Sequence, residues 1–336
     1  MNRNRRLLMA LIFGVLGSSY AAQAQNTPVI LRVDVANYVS YVEDTADVTK
    51  FATLPNVTPS VPPKNLYQSV QIADIVAVNG QPVKGSLTVH NRRFGLTTTP
   101  NPGDAIADTS RPSHGAFIFE FLASDGTAIG SLMTIGLAGL GAPPPGSPPG
   151  QTQGNNVIAG GTGAFLGARG TQGQNVTAQT IATRSASIME DPANRRTNGG
   201  GAARFLLEII PMTVPAILAD AGGPVITHAD FSPVTTAKPA KASEVLIVKA
   251  AGLGPTVPGV GPGQPFPLDA VQPVNSPIAV FVNGQPAEVV NAIGWPGQAN
   301  TFRVDFRMPE GAAAGMAAIQ LTAAWIPGPT VSIPVQ

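Results

Sequence analysis

Residues 154–170, GNNVIAGGTGAFLGARG, constrain the fold more than any other stretch of the chain. A short apolar run, Val157-Ile158-Ala159, meets a turn made of Gly160, Gly161, Thr162 and Gly163. A glycine-rich turn after a strand can cradle pyrophosphate, but only where a helix follows it. Here Gly160, Gly163 and Gly167 lie three and four apart, a spacing that fits neither dinucleotide-binding pattern. The residues that follow, TQGQNVTAQTIATRSASIM, mix Thr, Val and Ile with Gln and Ser and have no helical period. The corner therefore reads as a hairpin between two barrel strands, where glycine supplies the positive φ of a tight reversal.

The same punctuation runs through the whole chain. Its 336 residues hold 37 Gly and 33 Pro, with only 12% charged residues. Segments this short suit turn-rich β architecture and work against long helices. Hydrophobic content of 43% and a small net charge argue against disorder. At this length two or three domains are expected.

The N-terminus carries the three parts of an export signal. Arg3, Arg5 and Arg6 form a basic region, Leu7 to Leu16 an apolar region, and Ala22-Gln23-Ala24 a cleavage site. Cleavage after Ala24 predicts a secreted or periplasmic, extracytoplasmic protein. The apolar region is too short to span a bilayer comfortably, and no later segment is longer, so no membrane span is expected. Removing three arginines and no acids leaves two more acids than bases, from 20 Lys+Arg and 19 Asp+Glu. That balance speaks against a nucleic-acid partner, which would need a basic face. Cysteine is absent, which excludes disulfides, thiolate ligands and cysteine nucleophiles.

Strand patterns follow in order. Pro28 to Val35 alternates, Ala73 to Val78 leads into the hairpin pair Asn79-Gly80, and Gly85 to His90 returns. Pro55, Pro59, Pro62 and Pro63 mark a wandering loop, and residues 98–114 mark another. Gly115 to Leu122 alternates best, with Phe117, Phe119 and Phe121 on one face and Ile118, Glu120 and Leu122 on the other. Asp125-Gly126 turns the chain into Ala128 to Leu137, and the proline run 142–150 reads as a decorated loop. Seven to nine strands between residues 28 and 212 predict a closed antiparallel barrel of about eight strands.

From Val225 onward, six or so short strands flanked by Gly or Pro predict an Ig-like β-sandwich. They include Glu244 to Lys249, Ile278 to Val282 with Asn283-Gly284, Thr301 to Arg307, Ala317 to Trp325, and Val331 to Val335. Glu310 to Trp325 is alanine-rich, but two glycines interrupt it and Ile319, Leu321 and Ala323 alternate with Gln320 and Thr322. It reads as a turn and a strand. The expected organisation is all-β: a signal over 1–24, a barrel over 26–212, a linker at 211–224 and a sandwich over 225–336.

The run G-G-T-G-x-F-x-G-A-R-G over Gly160 to Gly170 resembles the signature of the dirigent and allene oxide cyclase barrels. The hairpin Asp191 to Gly201 and the strand Arg204 to Ile210 fit the close of such a barrel. Residues 251–256, 282–287 and 306–309 resemble, in order, an Ig-like C-terminal module of secreted bacterial proteins. The first resemblance implies a functional arginine at Arg169, which could instead pair with a carboxylate to hold the hairpin.

Other candidates come from the residues themselves. Glu120 points into the lumen, as a desolvated acid, only if the phenylalanines face out; otherwise it is solvated. Asp74 and His90, on the Asn-Gly hairpin, could line the same mouth. His90, His114 and His228 share no ligand spacing, so neither a metal nor a cofactor is implied. Trp295 sits in a loop, for stacking on sugar or for packing.

Three functions compete. The first is a barrel that binds a small hydrophobic or phenolic molecule, with the Ig-like domain for attachment, including cell-envelope or polysaccharide contact. The second is a cyclase- or isomerase-like enzyme. The third is a structural or adhesive envelope protein with a filled barrel. The direction of Phe117, Phe119 and Phe121 separates them.

Overall fold

The computed structural model describes residues 27–44, 65–95, 113–137, 143–178 and 181–336. The export signal and the prolines at 55–63 lie outside these residues. The chain is all-β, and its only helical elements among the described residues are two short 3₁₀ turns.

The first sheet contains β1 (Val29–Asp44), β2 (Asn65–Val78), β3 (Gln81–Gly95), β4 (Ser113–Leu122), β5 (Ala128–Leu137), β6 (Gln153–Gly163), β7 (Arg169–Asn175), β8 (Arg184–Ser187) and β9 (Gly201–Ile210). All except β8 form a closed antiparallel ring of eight strands, which β1 completes by pairing with both β2 and β9. Closure removes the sheet edges that would otherwise expose unpaired backbone groups. Asn79-Gly80 forms the expected tight hairpin, with φ of 52° and 80°. The glycine corner is also a hairpin: β6 ends at Gly163, and β7 begins at Arg169. A side chain at Gly163, where φ is +59°, would lie 2.4 Å from the Ile129 carbonyl oxygen. Only glycine fits there.

Alternation on β4 decides the interior. Phe117, Phe119 and Phe121 are buried in the lumen, while Ile118 and Glu120 face solvent. Leu31, Val33, Leu87, Val89, Leu132, Phe205 and Leu207 join them in one core. β1 changes parity at a bulge around Asn37, whose φ is +53°. Beyond it Tyr38 enters the lumen core, whereas Val39 and Tyr41 pack with Ala186 beneath β8.

β8 lies outside the ring, parallel to β1 with Val39 opposite Arg184. With the turn that follows it makes a strap along the edge of β1 that β9 leaves free beyond Tyr38. Arg184 donates bidentately to Glu190, at 2.8 and 2.6 Å, and its Nε donates to the Gly199 carbonyl at 2.7 Å. Asp74 holds the far end. Its carboxylate accepts from Arg196 at 2.8 and 2.6 Å, from Asn37 Nδ2 at 2.8 Å, and from Arg195.

The second sheet takes in the two-residue strands β10 (Ala216–Ile217) and β13 (Ile226–Thr227), while β11 (Ala219–Asp220) and β12 (Gly223–Pro224) pair only with each other. Its longer strands are β14 (Val245–Ala251), β15 (Ile278–Val282), β16 (Gln285–Gly294), β17 (Phe302–Arg307), β18 (Gly315–Ala323) and β19 (Ile326–Val335). The order β10-β14-β17-β16-β15-β18-β19 makes a nearly closed sheet around Leu246, Val248, Val304, Phe306, Ile319 and Leu321. β10 pairs with β14 through Ile217 and Ala250, so the second sheet begins inside the expected linker.

The strand expected to end at Trp325 ends at Ala323, and β19 starts at Ile326 rather than Val331. Pro327 and Pro329 disguise it in the sequence, but proline is tolerated on an edge strand where one row of N–H groups needs no partner. Ala324 and Trp325 form the hairpin tip, with φ of 48° and 62°.

That tip enters the barrel. Ala324, Trp325 and Ile326 belong to the lumen core, not to the core of their own sheet. Trp325 stacks on Phe165 at 6.5 Å and meets Phe121 at 5.7 Å. Burying an indole removes roughly 200 Å² from water, about 5 kcal/mol. Two non-glycine residues held left-handed cost about 1–2 kcal/mol each. Burial wins, and the second domain contributes its hairpin tip to the barrel core.

Two outcomes follow. Trp325→Ala should lose about 3–5 kcal/mol and split a single calorimetric transition into two. A single transition with an unchanged midpoint would mean the tip bears no load.

Burial opposes the Asp74 charge, but hydrogen bonds from Arg196, Asn37 and Arg195 outweigh it, so the folded-state pKa lies below the ordinary value. A depressed pKa stabilises above the unfolded pKa and the benefit is lost as pH falls, here below about pH 4. Asp74→Asn should therefore lower Tm at neutral pH by roughly 5 °C, from about 2 kcal/mol, with a smaller gap at about pH 3. An equal gap at both pH values would refute the charge account.

Candidate functional site

An eight-stranded barrel has an interior wide enough for side chains or for one small ligand. Here aromatic rings occupy the axis. Phe205 receives Phe119 at 5.4 Å, Phe117 at 6.1 Å and Tyr38 at 6.1 Å, all edge to face. Below them Phe121, Phe165 and Trp325 form the floor, the first two 5.2 Å apart. The glycine corner supplies Phe165 to that floor.

Toward the other end the interior turns polar. Gln172 Oε1 accepts from Thr134 Oγ1 at 2.9 Å and from Asn156 Nδ2 at 2.7 Å. The Tyr38 hydroxyl donates to Gln71 Oε1, and burial pushes its pKa up, so it stays a donor. Asn156 Oδ1 and Ser69 Oγ are buried with no hydrogen-bond partner among the described residues. These groups are amides and hydroxyls, suited to hydrogen bonding rather than to proton transfer at neutral pH.

The sequence-predicted residues do not converge on this interior. Glu120 is exposed on the outer wall, where the Ser86 hydroxyl donates to it at 3.2 Å. Arg169 is exposed at the start of β7. Asp74 is committed to the strap, and its neighbour across β3 is Ser86. His90 is exposed on β3, so Asp74 and His90 share no mouth.

The wall nonetheless brings two histidines together. Arg92 lies opposite His114 and His90 opposite Ala116, so both rings border one groove of about 410 Å³. Glu43 and Gln68, hydrogen-bonded to each other, and Ile188 also line it. Sequence spacing hid this pair because residues 96–112 separate β3 from β4 along the chain. Among the described residues no three His, Asp or Glu side chains are placed to hold a metal. His228 is buried in the second domain, with Nδ1 2.6 Å from Glu244 Oε1. Trp295 packs against Phe231 at 6.5 Å, with Lys249 over its ring.

Sequence reasoning missed the junction between the domains. A groove of about 470 Å³ runs beside Trp325, between the Gln81–Lys84 and Leu122–Ser124 segments of the barrel and Asn275, Ser276 and Pro277 of the second domain. Asn275 Nδ2 ties the two sides by donating to the Ala128 carbonyl at 2.5 Å. The one available signal was Trp325 itself. Its parity with Ile319, Leu321 and Ala323 made it look like one more inward strand residue.

No protein-family model matches the chain, and no curated protein is similar to it. Among solved structures, a polysaccharide lyase aligns with 91% of this chain and 39% of its own, at 8% identity and a TM-score of 0.19. The chain thus spans well under half of that protein, and a likeness this slight carries no argument about fold or activity.

Proposed function

We propose that this is a non-catalytic, exported structural or adhesive protein, whose barrel is a filled scaffold and whose contacts are made from its outer surface. The carrying observation is where the apolar side chains lie. Phe117, Phe119, Phe121, Phe165, Phe205 and Trp325 take up the lumen, and a second apolar set lies outside. On the outer wall Ile118 lies opposite Met133, and Ile135 opposite Val157. All four are exposed, Val157 by 54%. Exposed apolar side chains scattered singly need no explanation, but four in adjacent cross-strand pairs make a face suited to another surface. A barrel stiffened by the second domain would hold that face in a fixed orientation. The export signal, the spacing role of the Ig-like domain and contact with a cell envelope belong to the same reading.

Catalysis finds less support. A cyclase-like barrel needs a cavity with a convergent acid or arginine, and Glu120 and Arg169 lie outside the lumen.

Replacing Ile118, Met133 and Ile135 with serine should leave Tm within about 2 °C, because exposed positions contribute little to stability. The same triple variant should move from the isolated cell-envelope fraction into the soluble fraction. Equal retention of variant and wild type would overturn the adhesive reading. Shifts of the Leu132, Val89 and Leu207 methyl resonances on adding benzene to wild type would overturn the filled scaffold.

A further inference from the structure

We infer that the groove at the domain junction is a binding site for a small aromatic carboxylate. One wall and the floor are apolar: Val83, Leu122 and Ile129 from the barrel and Trp325 from the second domain. Its volume of about 470 Å³ is within the range of small-molecule sites, and such sites favour domain junctions. Two hydrogen-bond donors border the same space.

The first donor is Ser276. Its residue is 4% exposed, and its Oγ has no hydrogen-bond partner among the described residues. A hydroxyl buried beside a groove and left unmatched is costly; the Oγ packs against Gly254, and a rotation of the short side chain toward the groove would let an arriving acceptor satisfy it. The second donor is the exposed Lys84. Its ammonium donates to a neutral acceptor, the Ser124 carbonyl, at 2.7 Å. Two of its three protons therefore remain for a ligand. Asp125 stands nearby on the β4–β5 turn, but its carboxylate accepts from the Thr127 amide at 2.9 Å and is open to solvent. The neighbouring Asn275 amide gives one of its two N–H groups to the Ala128 carbonyl. A hydroxyl and an ammonium, both donors, above an apolar floor select a flat apolar body with an anionic acceptor at one end.

The site needs both domains. Trp325 and Ser276 come from one and Lys84 from the other, so it exists only while the hairpin tip stays seated.

The test uses intrinsic fluorescence. The chain has two tryptophans, so Trp295→Phe leaves Trp325 as the sole tryptophan, excited at about 295 nm to exclude the tyrosines. Cinnamate should quench it saturably, and cinnamyl alcohol should do so more weakly. In that background Lys84→Met should weaken cinnamate about tenfold and change cinnamyl alcohol by less than about twofold. Ser276→Ala, which removes one oxygen without disturbing packing, should weaken both ligands about threefold. Quenching that never saturates, or affinities untouched by both substitutions, would overturn the site. Because the readout is confined to Trp325, it is independent of whether the outer wall binds an envelope.

Discussion

The insertion of Trp325 into the barrel floor is the contact on which the rest of the structure depends. A closed ring of eight strands solves the edge problem but leaves two open ends, and each must be filled or covered. At one end this chain uses a residue more than a hundred positions beyond its last barrel strand. Ala324 and Trp325 adopt left-handed conformations that most side chains avoid, because only a two-residue reversal can aim the indole out of its own sheet. Phe121 and Phe165 receive it, and Phe165 stands there only because the glycine corner turns tightly enough to present it.

Filling the interior from both directions displaces polar chemistry to the periphery. Aromatic rings line the lower lumen, and the polar residues above them engage one another through Gln172 and Gln71. Charge is placed on the outside, where it fastens rather than reacts. Asp74 and its two arginines clamp the strap, and Arg204 holds Asp34 bidentately at 2.6 and 2.8 Å across β9 and β1. Two open spaces next to titratable groups are surface grooves, one bordered by the histidine pair and one by Lys84 at the junction.

Much of the fold was legible because its signals are local. Period-two alternation on Gly115 to Leu122, the Asn-Gly reversals and the spacing of Gly160, Gly163 and Gly167 each depend on a few neighbouring residues. Alternation names two faces without saying which is inside, and the site candidates turned on that choice. With the phenylalanines inside, Glu120 had to be outside. His90 and His114 meet through the register of β3 on β4, a pairing between segments far apart in sequence. β19 was shortened by its prolines, whose compatibility with a strand depends on its being at an edge.

By itself the sequence determined an all-β chain with a closed antiparallel barrel followed by a second β-rich domain, because turn chemistry and alternation act within a few residues. Only the tertiary structure decided that the phenylalanines face the lumen, that the predicted polar candidates sit on separate parts of the wall, and that the second domain's hairpin tip joins the barrel core. The physical reason is that inside and outside are properties of closure. The same alternating strand serves either way until a ring closes around one of its faces, and no local pattern announces that a distant tryptophan will seal the end.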